Sequence, residues 1–110
     1  MCSDVRETEI DEEEANRQQR CERRIGYVFK NKQLLREALT HASSAEHRLA
    51  SNERLEFLGD AILGAVVCEL LFTRYPDYLE GDLTKIKSAV VSRQSCAKIS
   101  EALGLQEILI

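Results

Sequence analysis

The sequence has no tryptophan, three phenylalanines, three tyrosines and one proline in 110 residues. So few aromatics leave no platform on which bases could stack. No glycine-rich phosphate loop is present among the five glycines, and no Ser/His/Asp set has believable spacing for nucleophilic catalysis. The four cysteines, Cys2, Cys21, Cys68 and Cys96, are scattered, with no C-x-x-C pair and no nearby histidine at zinc-ligand spacing. That argues against a disulfide framework and for a reduced intracellular protein. No apolar run follows a basic N-terminal segment, so no secretory signal is expected. The longest apolar stretch, AILGAVVCELLF (61–72), contains Glu69 and is too short to span a bilayer. The expectation is a soluble, cytoplasmic protein. No segment alternates apolar and polar residues as a half-buried strand would, and there is no internal repeat.

What is present has an ordinary globular balance, 44% hydrophobic and 31% charged, in a length that suits one small domain. The net charge of -4 is unevenly spread. Residues 1–14 hold seven acids against Arg6, a net of -6, and residues 15–110 hold twelve acids and fourteen bases, a net of +2. The first segment reads as an acidic, disordered tail, and the remainder as a weakly basic body compatible with a polyanionic partner.

The body reads as all-α. A helix from Ala15 to about Ile25 breaks at Gly26, and Asn31 can cap a second helix carrying Leu34, Leu35, Ala38 and Leu39. THASSAEHRLAS (40–51) is a polar connection, in which His41 is expected to be packed and His47 to lie in a loop. A central helix begins near Asn52 and runs to about Arg74, where Tyr75-Pro76 stops it. Asp82 is expected to cap a helix with Leu83, Ile86 and Val90 on one face. Ser95 starts another, closed by Gly104. The chain's last residues, Ile108, Leu109 and Ile110, are apolar and need something to pack against.

The central helix opens with NERLEFLGDAIL (52–63). At about 100° per residue, Glu53, Glu56 and Asp60 fall within roughly 60° of arc, and Phe57 borders them. Leu55, Leu58 and Ile62 take the opposite side, and beyond residue 61 the helix is apolar nearly all round. It therefore reads as surrounded by protein, with its acidic end as the wall of a cleft. Acids in a first turn suit the helix dipole, but Asp60 lies too far along to benefit. Like charges at these spacings cost about 0.2–0.5 kcal/mol per pair. A hard divalent cation would turn that cost into affinity, so spacing alone leaves a metal site and a solvated acidic face equally open. Glu80 is placed to approach the stripe from a loop. Lys85, Lys87 and Arg93 suit either phosphate binding or a solvated face.

NERLEFLGDAIL closely resembles the signature of the ribonuclease III family, endonucleases of double-stranded RNA. IGYVFKNKQLLREALTHAS (25–43) and RYPDYLEGDLTKIKSAVVSRQSCAKISEALGL (74–105) are similar to the family's flanking segments. The resemblance covers about residues 20 to 110. It implies an all-helical endonuclease domain, here truncated at its C-terminal end, that works as a homodimer on double-stranded RNA in ribosomal, messenger and other precursor processing. It implies Mg²⁺, with Mn²⁺ as a substitute, and no small-molecule cofactor. By position, Glu56 matches a metal-binding carboxylate and Asp60 a catalytic one that also belongs to the metal site. Glu53 and Glu80 match acids that support cleavage, and Phe57 an aromatic that inserts into a socket on the partner subunit. The family's second acidic pair, on a later helix, and its double-stranded-RNA-binding domain are expected to be missing from this chain. A non-catalytic RNA-binding or dimerisation module that retains the signature is the rival reading.

Overall fold

Acid-rich at one end and arginine-rich at the other, the sequence VRETEIDEEEANRQQRCERRI forms the first helix, α1 (Val5–Ile25). The computed structural model describes residues 5–109, and among the described residues there are helices and turns but no strand. Helix therefore replaces the expected disordered tail from Val5 onward, and residues 1–4 lie outside the described residues. Glutamate and arginine are good helix formers, and acids placed before bases complement the helix dipole. Along α1, Glu14 accepts hydrogen bonds from Arg17 at 3.0 Å and Gln18 at 3.2 Å.

Gly26 ends α1 with a φ of +73°, and the N–H groups of Gly26 and Tyr27 both donate to the Glu22 carbonyl. The Glu22 carboxylate then ties down the following loop, accepting from the Phe29 N–H at 2.6 Å and the Lys32 ammonium at 2.5 Å. Helix α2 (Lys32–Leu39) starts where the Asn31 side chain accepts from the Leu34 N–H, as its sequence implies. Leu35 and Leu39 on α2, Cys21 on α1 and Ile108 form the buried core, with Phe29 and Leu105 packed against it. Ile108 is fully enclosed, so the apolar end packs back onto α1 and α2; Leu109 stays exposed and Ile110 lies outside the described residues.

Helix α3 (Glu53–Arg74) is joined to α2 by a connection that folds into 3-10 turns at Ala42–Ser44 and Arg48–Ala50. His41 caps the first of these turns, Nδ1 accepting from the Ser43 N–H, and is exposed rather than packed. The end of α2 is fastened to the start of α3: the Asn52 N–H donates to the Thr40 carbonyl at 2.8 Å, and the Asn52 amide to Ala38 at 3.4 Å. Helix α4 (Glu80–Val90) lies against α3, and α5 (Arg93–Leu103) follows it.

Two helix starts differ from the sequence reading. Leu79, not Asp82, precedes α4, and Asp82 sits inside its first turn, where an acid still favours the dipole. Ser92 caps α5, and Ser95 is the residue whose N–H its hydroxyl accepts. A third difference concerns α3, which is not enclosed. Gly64 and Leu71 are buried, but Leu58, Ile62, Val66 and Leu70 remain exposed, because the other helices cover one side only.

Candidate active site

The acidic stripe is set by the entry of α3. Its first residue follows Asn52, whose backbone and side chain are both spent on α2, so the first turn of α3 has a fixed origin. From that origin Glu53, Glu56 and Asp60 descend one face and line an open cavity of about 550 Å³. Phe57 flanks them, and Arg93 and Cys96 at the start of α5 form the facing wall. A Cβ added at Gly59 would meet nothing within 4 Å, so the helix backbone itself is approachable beside the acids.

The site residues expected from the sequence are thus brought together in part. Glu53, Glu56, Asp60 and Phe57 share one cavity, whereas Glu80 opens α4 and is not among the residues lining it. Among the described residues no group of three His, Cys, Asp or Glu side chains converges closely enough to hold a metal ion. The basic residues also divide. Arg93 faces the acids, Lys85 is exposed on α4, and the half-buried Lys87 lies across Gly64, where an added Cβ would stand 3.6 Å from its Cε.

One partner of the stripe has no sequence signal of its own. Arg48, on the turn before α3, grips Glu53 side-on: Nη2 reaches Oε1 at 3.0 Å and Oε2 at 3.1 Å, and Nε reaches Oε2 at 3.3 Å. The hydrogen bonds and charge of Glu53 hold the Arg48 guanidinium still more firmly protonated than usual. Residues five apart have no fixed relation in a coil, so only the 3-10 turn makes this pair. Cys96, in the sequence one of four scattered cysteines, stands on the cavity wall through the packing of α5 alone.

Phe57 is 82% exposed, an unusual setting for an aromatic side chain. It also borders a second cavity of about 650 Å³, on the other side of the helix, lined by Leu34, Leu49, Leu55 and Leu58.

Comparison with known proteins gives the chain a family. The family model described as Ribonuclease-III-like matches residues 31–110. Ribonuclease 3 of Rhodopirellula baltica is 66% identical over 92 residues, which are 84% of this chain and 35% of that protein. Ribonuclease 3 of Symbiobacterium thermophilum is 52% identical over 87 residues, 77% of this chain and 37% of that protein. A structure of the nuclease domain of ribonuclease III from Campylobacter jejuni, described for flexibility in a region involved in dimer formation, superposes with a TM-score of 0.78. It is 45% identical, and the match covers 83% of this chain and 62% of that one. The chain spans about a third of the length of the Rhodopirellula and Symbiobacterium proteins. With a family match over residues 31–110 and relatives up to 66% identical, the chain belongs to the ribonuclease-III-like family.

Proposed function

We propose that this chain carries the signature half of an endoribonuclease that hydrolyses phosphodiester bonds in double-stranded RNA, in the processing of ribosomal, messenger and other precursor RNA in the cytoplasm. The observation that carries the reading is the placing of Glu56 and Asp60, one helical turn apart, on the wall of an open cavity in a chain of this family.

The donor chemistry suits Mg²⁺, with Mn²⁺ as substitute. Carboxylate oxygens are hard ligands, and a cavity open to solvent leaves the other coordination positions to water. Glu56 and Asp60 would hold the ion, and two protein ligands make the holding weak. When bound, such an ion acidifies a water and stabilises charge on the leaving oxygen. Glu53 supports the pair from the rim, and Glu80 would act only where substrate or a partner brings α4 to the cavity. Arg93, across from the acids, offers a cation to a backbone phosphate. An A-form duplex would be engaged through phosphates and 2′-hydroxyls, with affinity that falls as salt rises.

A homodimer belongs to the same reading. Phe57 stands out beside an apolar cavity lined by Leu34, Leu49 and Leu58, which gives one copy both an aromatic to insert and a place to receive one.

The test joins the chain to the remaining nuclease segment of the Rhodopirellula relative and incubates it with labelled duplex RNA. Cutting that needs Mg²⁺, stops with EDTA and falls at least 100-fold in Asp60→Asn is expected, as loss of a charged ligand misplaces ion, water and phosphate together. Cutting that persists unchanged in Asp60→Asn overturns the reading.

A further inference from the structure

The Arg48–Glu53 pair joins one residue of the acidic cavity to one outside it. Both oxygens of Glu53 are engaged by Nε and Nη2 of Arg48, while Nη1 has no hydrogen-bond partner among the described residues. The pair lies open to water: the Arg48 side chain is 82% exposed and that of Glu53 43%. Exposed ion pairs contribute little, so this one is held shut only weakly.

The backbone beneath it is anchored. Ser51 is buried, and its N–H and hydroxyl both donate to the Arg48 carbonyl, at 3.1 and 2.7 Å. The same hydroxyl accepts from the Glu53 N–H at 3.4 Å. Two side chains thus stand on a fixed frame, free to change partners without moving the chain. The chemistry of the alternatives is plain. A guanidinium that grips a carboxylate side-on grips a phosphodiester in the same way. A carboxylate released at the rim of the cavity leaves a third acid there free to act with Glu56 and Asp60.

Resting on the function proposed above, we propose that Arg48 and Glu53 are an exchangeable pair, closed in the free protein and opened when a backbone phosphate takes Arg48 and a divalent cation draws Glu53. Arg48 is then a positioning residue. In the closed state it withholds Glu53 from the cation, and Glu53 withholds Arg48 from RNA. Each ligand that opens the pair frees the residue the other needs, which couples the two binding events in the same direction.

The coupling predicts opposite effects of the two single substitutions. Mn²⁺ binding to the chain is read from water-proton relaxation, and binding of a labelled RNA duplex in EDTA from fluorescence anisotropy. Arg48→Gln should tighten Mn²⁺ by about two- to fivefold and weaken the duplex. Glu53→Gln should tighten the duplex by a similar factor and weaken Mn²⁺. In the Glu53→Gln background, Arg48→Gln should no longer change Mn²⁺ affinity, because the carboxylate it would release is gone. A long-range effect of charge would survive in that background, and its survival overturns the exchange. So does Mn²⁺ binding that is lost in Glu56→Gln yet indifferent to Arg48. If the wild-type chain and Glu56→Gln relax water alike, the functional reading itself fails and the exchange fails with it.

Discussion

Glu22 shows how much one side chain can organise. It is the one buried charged residue among those described, and its carboxylate joins the end of α1 to the start of α2 through Lys32 and the Phe29 N–H. The hydrogen bond from Lys32, then that from the backbone of Phe29, hold its pKa below the usual carboxylate value against the opposing effect of burial. A depressed carboxylate stabilises the fold above its unfolded pKa, and that contribution is lost as pH falls through the lower folded value. Glu22→Gln should therefore melt at a lower temperature than wild type at pH 7, and the gap should narrow as pH falls below about 4, where the unfolded acid is protonated. Thermal unfolding of the two proteins across that range is the measurement, and a gap that stays constant with pH refutes the assignment. Beside Glu22, burial pushes the Cys21 thiol up, which keeps it a packed apolar group rather than a reactive thiolate.

At the scale of the helix, the ends were legible in the sequence where local chemistry sets them. Asn31 caps α2, Tyr75 ends α3, and Gly26 and Gly104 close α1 and α5 with positive φ, each through bonds within a few residues. The start of α1 was not legible, because a run of acids suits a solvated helix and a disordered tail alike. The exposure of α3 was hidden for a different reason: an apolar sequence states a need for burial and not what meets it. The same holds for the cavity, where the stripe of Glu53, Glu56 and Asp60 followed from helical period but its facing wall of Arg93 and Cys96 did not. Gly104 carries a second constraint that only the fold reveals. A Cβ there would collide with Arg24 Nη1, which donates to the carbonyls of Leu103 and Gly104 while Nη2 pairs with Glu107. Gly26 has the same sign of φ with nothing near it. Gly26→Ala should then cost about 1–2 kcal/mol from backbone strain alone. Gly104→Ala should cost about 1 kcal/mol more, because the guanidinium must leave its carbonyls. Equal losses on urea unfolding would show that Arg24 does not brace the end of α5.

For the whole molecule, the decisive feature is the side of α3 that no helix among the described residues covers. Leu58, Ile62, Val66 and Leu70 recur every fourth residue and make an exposed stripe about 18 Å long. Phe57 stands at its acidic end, beside the cavity that includes Leu34 and Leu49. A contiguous apolar face of this kind is costly in water and marks a surface made to be covered. A two-fold contact covers it economically, since one patch meets its own copy and each Phe57 can enter the other's cavity. That arrangement also sets two acidic cavities on one assembly. An aromatic anchor in a pocket carries a large share of such a contact, so Phe57→Ala should weaken self-association by about thirtyfold or more. Leu70→Ala, on the same stripe but away from the pocket, should weaken it less. Sedimentation equilibrium over a micromolar concentration series reads both effects. Circular dichroism on the same samples should show unchanged helix, because Phe57 is too exposed to support the core. Wild type that remains monomeric throughout the series, or Phe57→Ala that associates as tightly as wild type, would assign the face to some other partner.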